Sequence, residues 1–175
     1  AAIFDLDEAR GTALAAQLGA NAVFARVDVG DEASAQAGIA RTLAAFGAVH
    51  GCVNCAGIPG KIGRVVGKQG PMALADFEKV IRINLIGTFN ITRLAVAEIL
   101  KNAPDAETGE RGVVVNTASL AGIEGQMGQV SYAASKAGVI GMMLPLVRDL
   151  SQFGVRVMTI APGLFETPMG AGAPQ

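Results

Sequence analysis

Short runs rich in apolar and β-branched residues alternate along this chain with longer stretches in which apolar positions recur every three or four residues. The short runs predict strands over Ala2–Asp5, Ala22–Val27, Val49–Asn54, Gly112–Thr117 and Val155–Ile160. The long stretches predict helices over Glu8–Leu18, Glu32–Phe46, Leu74–Lys101 and Gly128–Gln152. Strands separated by helices argue for parallel pairing through crossovers, so the expected architecture is a single α/β domain over residues 1–175. VVVN, Val113–Asn116, is apolar without alternation, as in a strand covered on both faces. Phe77, Ile81, Leu85 and Phe89 fall at i,i+4 steps and predict the buried stripe of the third helix. Pro145 should kink or split the last helix, because it lacks the donor that the helix needs there. PGKIGRVVGKQGP (59–71) and NAPDAETGERG (102–112) read as loops, and neither internal repeats nor an interdomain linker are visible.

Composition narrows the class. Half of the chain is hydrophobic (51%) and only 17% is charged, which places it with globular rather than disordered proteins. The net charge of −1 is spread without a basic run, so nucleic acid is not an expected partner. The longest uninterrupted apolar stretch, Ala137–Val147, is shorter than the ~20 residues that a bilayer requires, so no membrane association is expected. AAIFDLDEAR has neither the basic start nor the apolar middle of a secretory signal. The two cysteines are therefore expected in a reducing compartment, the cytoplasm or alternatively the mitochondrial matrix, where the NIT sequon at Asn90–Thr92 carries no glycan.

Several motifs invite chemistry that their context does not support. Cys52 and Cys55 in CVNC lie on or beside a strand, where positions three apart face opposite ways, and no second Cys or His pair completes a metal site. GRVVGKQ, Gly63–Gln69, has one residue too few between its glycines for a phosphate loop and ends in Gln instead of Ser or Thr. His50, the sole histidine, sits at a strand's beginning, away from the carboxyl ends where α/β sites open. Asp5 and Asp28 do stand at or near such carboxyl ends. Acids there either cap helices or bond a dinucleotide's ribose hydroxyls, and their repetition in successive units favours the cofactor.

The strongest signal is SYAASK, Ser131–Lys136. Tyr132, the only tyrosine, and Lys136 share a helix face at about 5–6 Å between Cβ atoms, which brings an ammonium near a phenol. A nearby cation favours phenolate, the form able to take a proton. Ser119, ending VVVNTAS thirteen residues earlier, can offer a hydroxyl to the same substrate oxygen. The trio suits a secondary alcohol that loses its proton to the phenol and its hydride to a cofactor.

NTAS, YAASK, NCAG at Asn54–Gly57 and PGLFET at Pro162–Thr167, in this order, resemble the short-chain dehydrogenase/reductase family over essentially the whole chain. The resemblance implies a Rossmann-like, doubly wound parallel sheet with helices on both faces. It implies Tyr132 as general acid/base, Ser119 polarising the substrate oxygen, Lys136 tuning Tyr132 and holding the nicotinamide ribose, and Asn84 holding a proton-relay water. It implies NAD as cofactor: Asp5 on the adenosine ribose and unfavourable to a 2′-phosphate, Asp28 and Val29 at the adenine, the backbone of Cys55 and Gly57 passing close, and Phe165 and Thr167 flanking the nicotinamide. Gln126, with Ser119 and Tyr132, would meet the substrate. EGQMGQVSYAASK, MMLPLVRDL and the long 102–112 loop are similar to members that act on 3-hydroxyacyl-CoA; reductases of 3-oxoacyl-carrier protein, hydroxysteroid dehydrogenases and a non-catalytic scaffold are the alternatives. A homotetramer is implied as well.

At both ends the pattern departs from the family's. The first strand with its glycine-rich turn and the C-terminal elements have no counterpart here, so the expectation is a fragment whose sheet has a gap between the strands ending at Asp5 and Asn54.

Overall fold

The computed structural model describes residues 1–165; Thr167 lies outside them. In chain order it forms β1 (Ala2–Asp5), α1 (Glu8–Leu18), β2 (Val23–Arg26), α2 (Glu32–Phe46), β3 (Gly51–Asn54), β4 (Val66–Gly67), β5 (Gly70–Pro71), α3 (Leu74–Ile81), α4 (Gly87–Ile99), β6 (Gly112–Thr117), α5 (Val130–Leu150) and β7 (Val155–Ile160). The bounds of α1 and α2 follow from local chemistry. Asp7 accepts from the Arg10 amide at 2.9 Å and Asp31 from the Ser34 amide at 2.8 Å, capping orphan donors at each start. Gly19 and Gly47, both at positive φ, end the two helices.

β1 pairs with β2, and β3 pairs with β6 and β6 with β7, all parallel. No ladder joins β1 to β3 among the described residues, which is the interval expected between the strands ending at Asp5 and Asn54. The two halves are held together through their helices. α2 packs against α4, and one core cluster runs from Ala25, Val27 and Ala35 to Cys52, Ile91, Ala95, Ile99, Val114 and Val157. Register explains which side of the larger sheet is buried. Cys52, Val114 and Val157 align in one row facing α4, whereas Val53, Val115 and Met158 align on the opposite face, where Val53 is 66% exposed.

The structure corrects three expectations. The third helix is not uniform: a π turn over Arg82–Ile86 separates α3 from α4. Because that turn holds five residues per bond-closing step instead of four, it shifts the helical phase. The fully buried line is accordingly Val80, Asn84, Ile91, Thr92, Ala95 and Ile99, while Phe77, Ile81 and Leu85 are only half-buried and Phe89 is 47% exposed. The 59–71 loop contains a small antiparallel hairpin, β4 with β5, reversed across Lys68 and Gln69 and entered again at Gly70 with φ 104°. α5 runs from Val130 to Leu150 through Pro145, so the proline does not split the helix. Separately, Leu74–Ile99 and Val130–Phe153 are, by length and composition alone, long and apolar enough to cross a membrane, a test that core helices also pass. Counting only unbroken apolar residues missed them, because Asn84, Thr88, Asn90, Thr92, Ser135 and Lys136 are interspersed; here these polar residues are buried against the rest of the fold.

Candidate active site

Three elements converge on Lys136. It lies on α5 and is buried, 5% exposed, and its Nζ donates to the carbonyl of Thr117 at the end of β6 at 2.7 Å. The same ammonium stands 5.7 Å from the centre of the Tyr132 ring, as i,i+4 spacing on a helix dictates. Burial pulls Lys136 below the ordinary lysine range, and the neighbouring Cys55 acts in the opposite sense. From a third direction comes Gly57, where a Cβ would sit 3.3 Å from Asn84 Oδ1 and 3.6 Å from Lys136 Nζ. A side chain there would crowd Asn84 Oδ1 and come into contact with the ammonium.

Ser119 leaves β6 in extended conformation and caps the 3-10 turn Leu120–Gly122, its Oγ accepting from the Ala121 amide at 3.2 Å. With a lone pair so engaged, the hydroxyl proton is free to point elsewhere. The turn presses on α5 so closely that a Cβ on Gly122 would lie 2.7 Å from the Ala137 nitrogen and 2.8 Å from the Lys136 carbonyl carbon. That contact holds the turn that Ser119 caps against α5, the helix that also bears the half-buried Tyr132.

Asn84, wholly buried in the π turn, acts as a clamp. Its Oδ1 accepts from the Ile58 amide at 2.8 Å, and its Nδ2 donates to the Ile58 carbonyl at 2.9 Å and to Ser135 Oγ at 3.0 Å. Its own carbonyl accepts from Thr88 Oγ1 at 2.7 Å. The side chain is thus spent on joining the loop after β3 to α5, which bears on the water-holding role that the resemblance implies: only the backbone carbonyl could serve it.

Asp5 and Asp28 are exposed at the carboxyl ends of β1 and β2. Asp5 Oδ1 accepts from the Asp7 amide and Asp28 Oδ1 from the Gly30 amide, each at 2.9 Å, which fixes both carboxylates on their turns. Val29 follows, and its carbonyl accepts from Asn90 Nδ2 at 2.9 Å. Asn90 in turn accepts from Arg93, which also reaches Glu32 at 2.7 Å. Asn90 thereby ties the Asp28 turn to α4, a role hidden in the sequence behind a sequon; no residue pattern marks a side chain whose partner is a backbone carbonyl. Cys55 is exposed past β3, within 3.9 Å of Thr117 Oγ1, whereas Cys52 is buried and its thiol is pushed up to about 11 by desolvation, against an opposing Asn54 hydrogen bond and with Cys55 adding to the rise. Gln126 and Phe165 are exposed, Phe165 at 67%. His50 is exposed at the start of β3, where its carbonyl accepts from Val113.

The arrangement offers a phenol under a buried cation, a second hydroxyl beside the turn packed on the same helix, and two exposed carboxylates at the ends of β1 and β2. Comparison with known proteins agrees with it. The sequence profile described as short chain dehydrogenase matches residues 1–175. The chain is 48% identical over 176 residues to the 3-hydroxyacyl-CoA dehydrogenase type-2 of Homo sapiens, covering 100% of this chain and 67% of that protein. It is 48% identical to the Bos taurus protein of the same name, covering 97% of this chain and 65% of the relative. The crystal structure of 3-hydroxyacyl-CoA dehydrogenase type-2 from Mycobacterium avium superposes with a TM-score of 0.91 at 44% identity, covering 98% of this chain and 67% of that one. A 3-ketoacyl-(acyl-carrier-protein) reductase from Brucella melitensis, complexed with NADH, follows at 0.86 and 27% identity, over 96% of this chain and 66% of its own. The chain spans about two thirds of the length of these relatives. Its Rossmann-like α/β fold, its ordered motifs and these matches make it a member of the short-chain dehydrogenase family.

Proposed function

We propose that the protein is an NAD-dependent oxidoreductase that interconverts a secondary alcohol and a ketone, with a 3-hydroxyacyl-CoA as substrate. The observation that carries this reading is the buried Lys136 ammonium over the Tyr132 ring, with Ser119 on a turn pressed against the same helix. In the oxidative direction Tyr132 takes the alcohol proton. Ser119, whose Oγ already accepts from Ala121, donates to the substrate oxygen and holds it against the phenol. Lys136 favours the anionic phenol oxygen, and Thr117 O keeps the ammonium from swinging away.

The residues present fit a dinucleotide. Asp5 can accept from ribose hydroxyls and would repel a 2′-phosphate, Asp28 and Val29 form an anchored turn for the adenine, and the Cys55–Gly57 backbone has no side chain at Gly57 to bar a close approach. When bound, the nicotinamide would supply the hydride acceptor. Oxidation of a 3-hydroxyacyl-CoA, a 3-hydroxyacyl-carrier-protein thioester and a hydroxysteroid, each with NAD and with NADP, tests substrate and cofactor together. The CoA thioester with NAD is expected to show the highest kcat/KM by at least tenfold; preference for either other substrate refutes the substrate class, and preference for NADP refutes the role of Asp5.

The homotetramer that the resemblance implies has one support in the fold. The outer side of α4 and α5 forms an apolar groove lined by Ile86, Phe89, Met142, Pro145 and Leu146, with Ile86 51% exposed. Sedimentation of the native protein at micromolar concentration is expected to give a mass of four chains, and a monomer would end the proposal.

A further inference from the structure

We infer that Ser135 is a positioning residue for the Tyr132 site, an inference that rests on the dehydrogenase reading. Ser135 lies within SYAASK, between Tyr132 and Lys136, and is wholly buried on α5. Its Oγ donates to the carbonyl of Tyr132 at 2.7 Å and accepts from Asn84 Nδ2 at 3.0 Å. Bonding of a helical serine to the carbonyl three or four residues back is ordinary. The second partner is not: Asn84 belongs to the π turn and simultaneously grips both backbone groups of Ile58.

One hydroxyl thus completes a chain of bonds from the loop after β3, through Asn84, to the backbone of Tyr132 itself. This chain fixes the helical turn carrying the phenol and the ammonium relative to the loop whose backbone would border the cofactor. Alanine at 135 would keep the helix, for which it has the higher intrinsic propensity. It would remove the only link between Asn84 and the turn that bears Tyr132 among the described hydrogen bonds. Misplacement of a reacting group by about 1 Å can cost on the order of 10²-fold in rate, so the effect belongs in turnover rather than in binding.

The experiment measures kcat, KM and the NAD dissociation constant for the native protein and for Ser135→Ala, Tyr132→Phe and the double variant. Ser135→Ala is expected to lower kcat about tenfold with KM and NAD affinity within twofold, and to cost nothing further in the Tyr132→Phe background, because residues that act as a unit are non-additive. A kcat loss below threefold, a loss matched by weakened NAD binding, or an additive loss in the double variant would overturn the positioning role. Wild-type turnover in Tyr132→Phe would instead sink the dehydrogenase reading and Ser135's role with it.

Discussion

Tyr132→Phe is expected to lower NAD-linked turnover of the 3-hydroxyacyl-CoA by about 10³-fold, the middle of the range for removal of a general acid/base and equivalent to about 4 kcal/mol of transition-state stabilisation. The substitution keeps the ring that lies 5.7 Å from Lys136 Nζ and removes only the hydroxyl. NAD affinity should therefore stay within about twofold. Calorimetric titration with NAD, alongside steady-state kinetics, separates loss of chemistry from loss of the site. Turnover within tenfold of the native rate would mean that another group moves the proton.

A second large effect is expected at Lys136, with opposite consequences for rate and for stability. Lys136→Met preserves most of the volume and removes the cation, so phenolate beside it is no longer favoured; turnover should fall by about 10²-fold or more. Stability should hardly suffer. Burial holds the folded-state lysine below its ordinary value, which is that of the unfolded chain. Between the two values the unfolded state binds more protons, so stability rises with pH there; below the folded value the full cost of burying the charge is present. Methionine escapes that cost at neutral pH, which offsets the loss of the charge-assisted bond to Thr117 O, worth about 1.5–3 kcal/mol, and of the cation's contact with the Tyr132 ring. The variant's Tm at pH 7 should match the native one within a few degrees, and its relative stability should decline as pH is raised toward 10. Measured Tm values that fall steeply at pH 7 and recover at higher pH would contradict this sign.

Much of the fold is legible because its punctuation is local. α1 and α2 have the predicted bounds since Asp7 and Asp31 cap one end and Gly19 and Gly47 close the other, and β1, β6 and β7 likewise span the predicted residues. The π turn is not legible, because its cause is tertiary: Asn84 is drawn to Ile58 and Ser135, 26 and 51 positions away in the chain. Past that turn the i,i+4 line leaves the core: Leu85 and Phe89 line the outer groove, and Phe89 is 47% exposed. In the site, Tyr132, Lys136 and Ser119 declare themselves by residue type and spacing, and the structure places their elements together. Thr117, Asn90 and Ser135 do not, since what matters in each is a bond to or from a backbone carbonyl. Asp5 and Asp28 are exposed at the carboxyl ends of β1 and β2 and Gly57 borders Asn84 and Lys136, whereas Gln126 and Phe165 are displayed to solvent.

The π turn also limits how the chain can vary. Loss of one residue from Arg82–Ile86 would let α3 and α4 merge into a regular helix, but would rotate everything from Gly87 onward by about 100° and retract it by about 1.5 Å. Asn90 would leave the Val29 carbonyl, Thr92 would leave Asn54, and α4 would turn a different face toward α2. A more regular helix would thus disconnect the half of the molecule bearing Asp5 and Asp28 from the half bearing Tyr132. For homologous recombination or loop grafting in this segment, residue number between Ile81 and Gly87 is a stricter constraint than residue identity, save at Asn84.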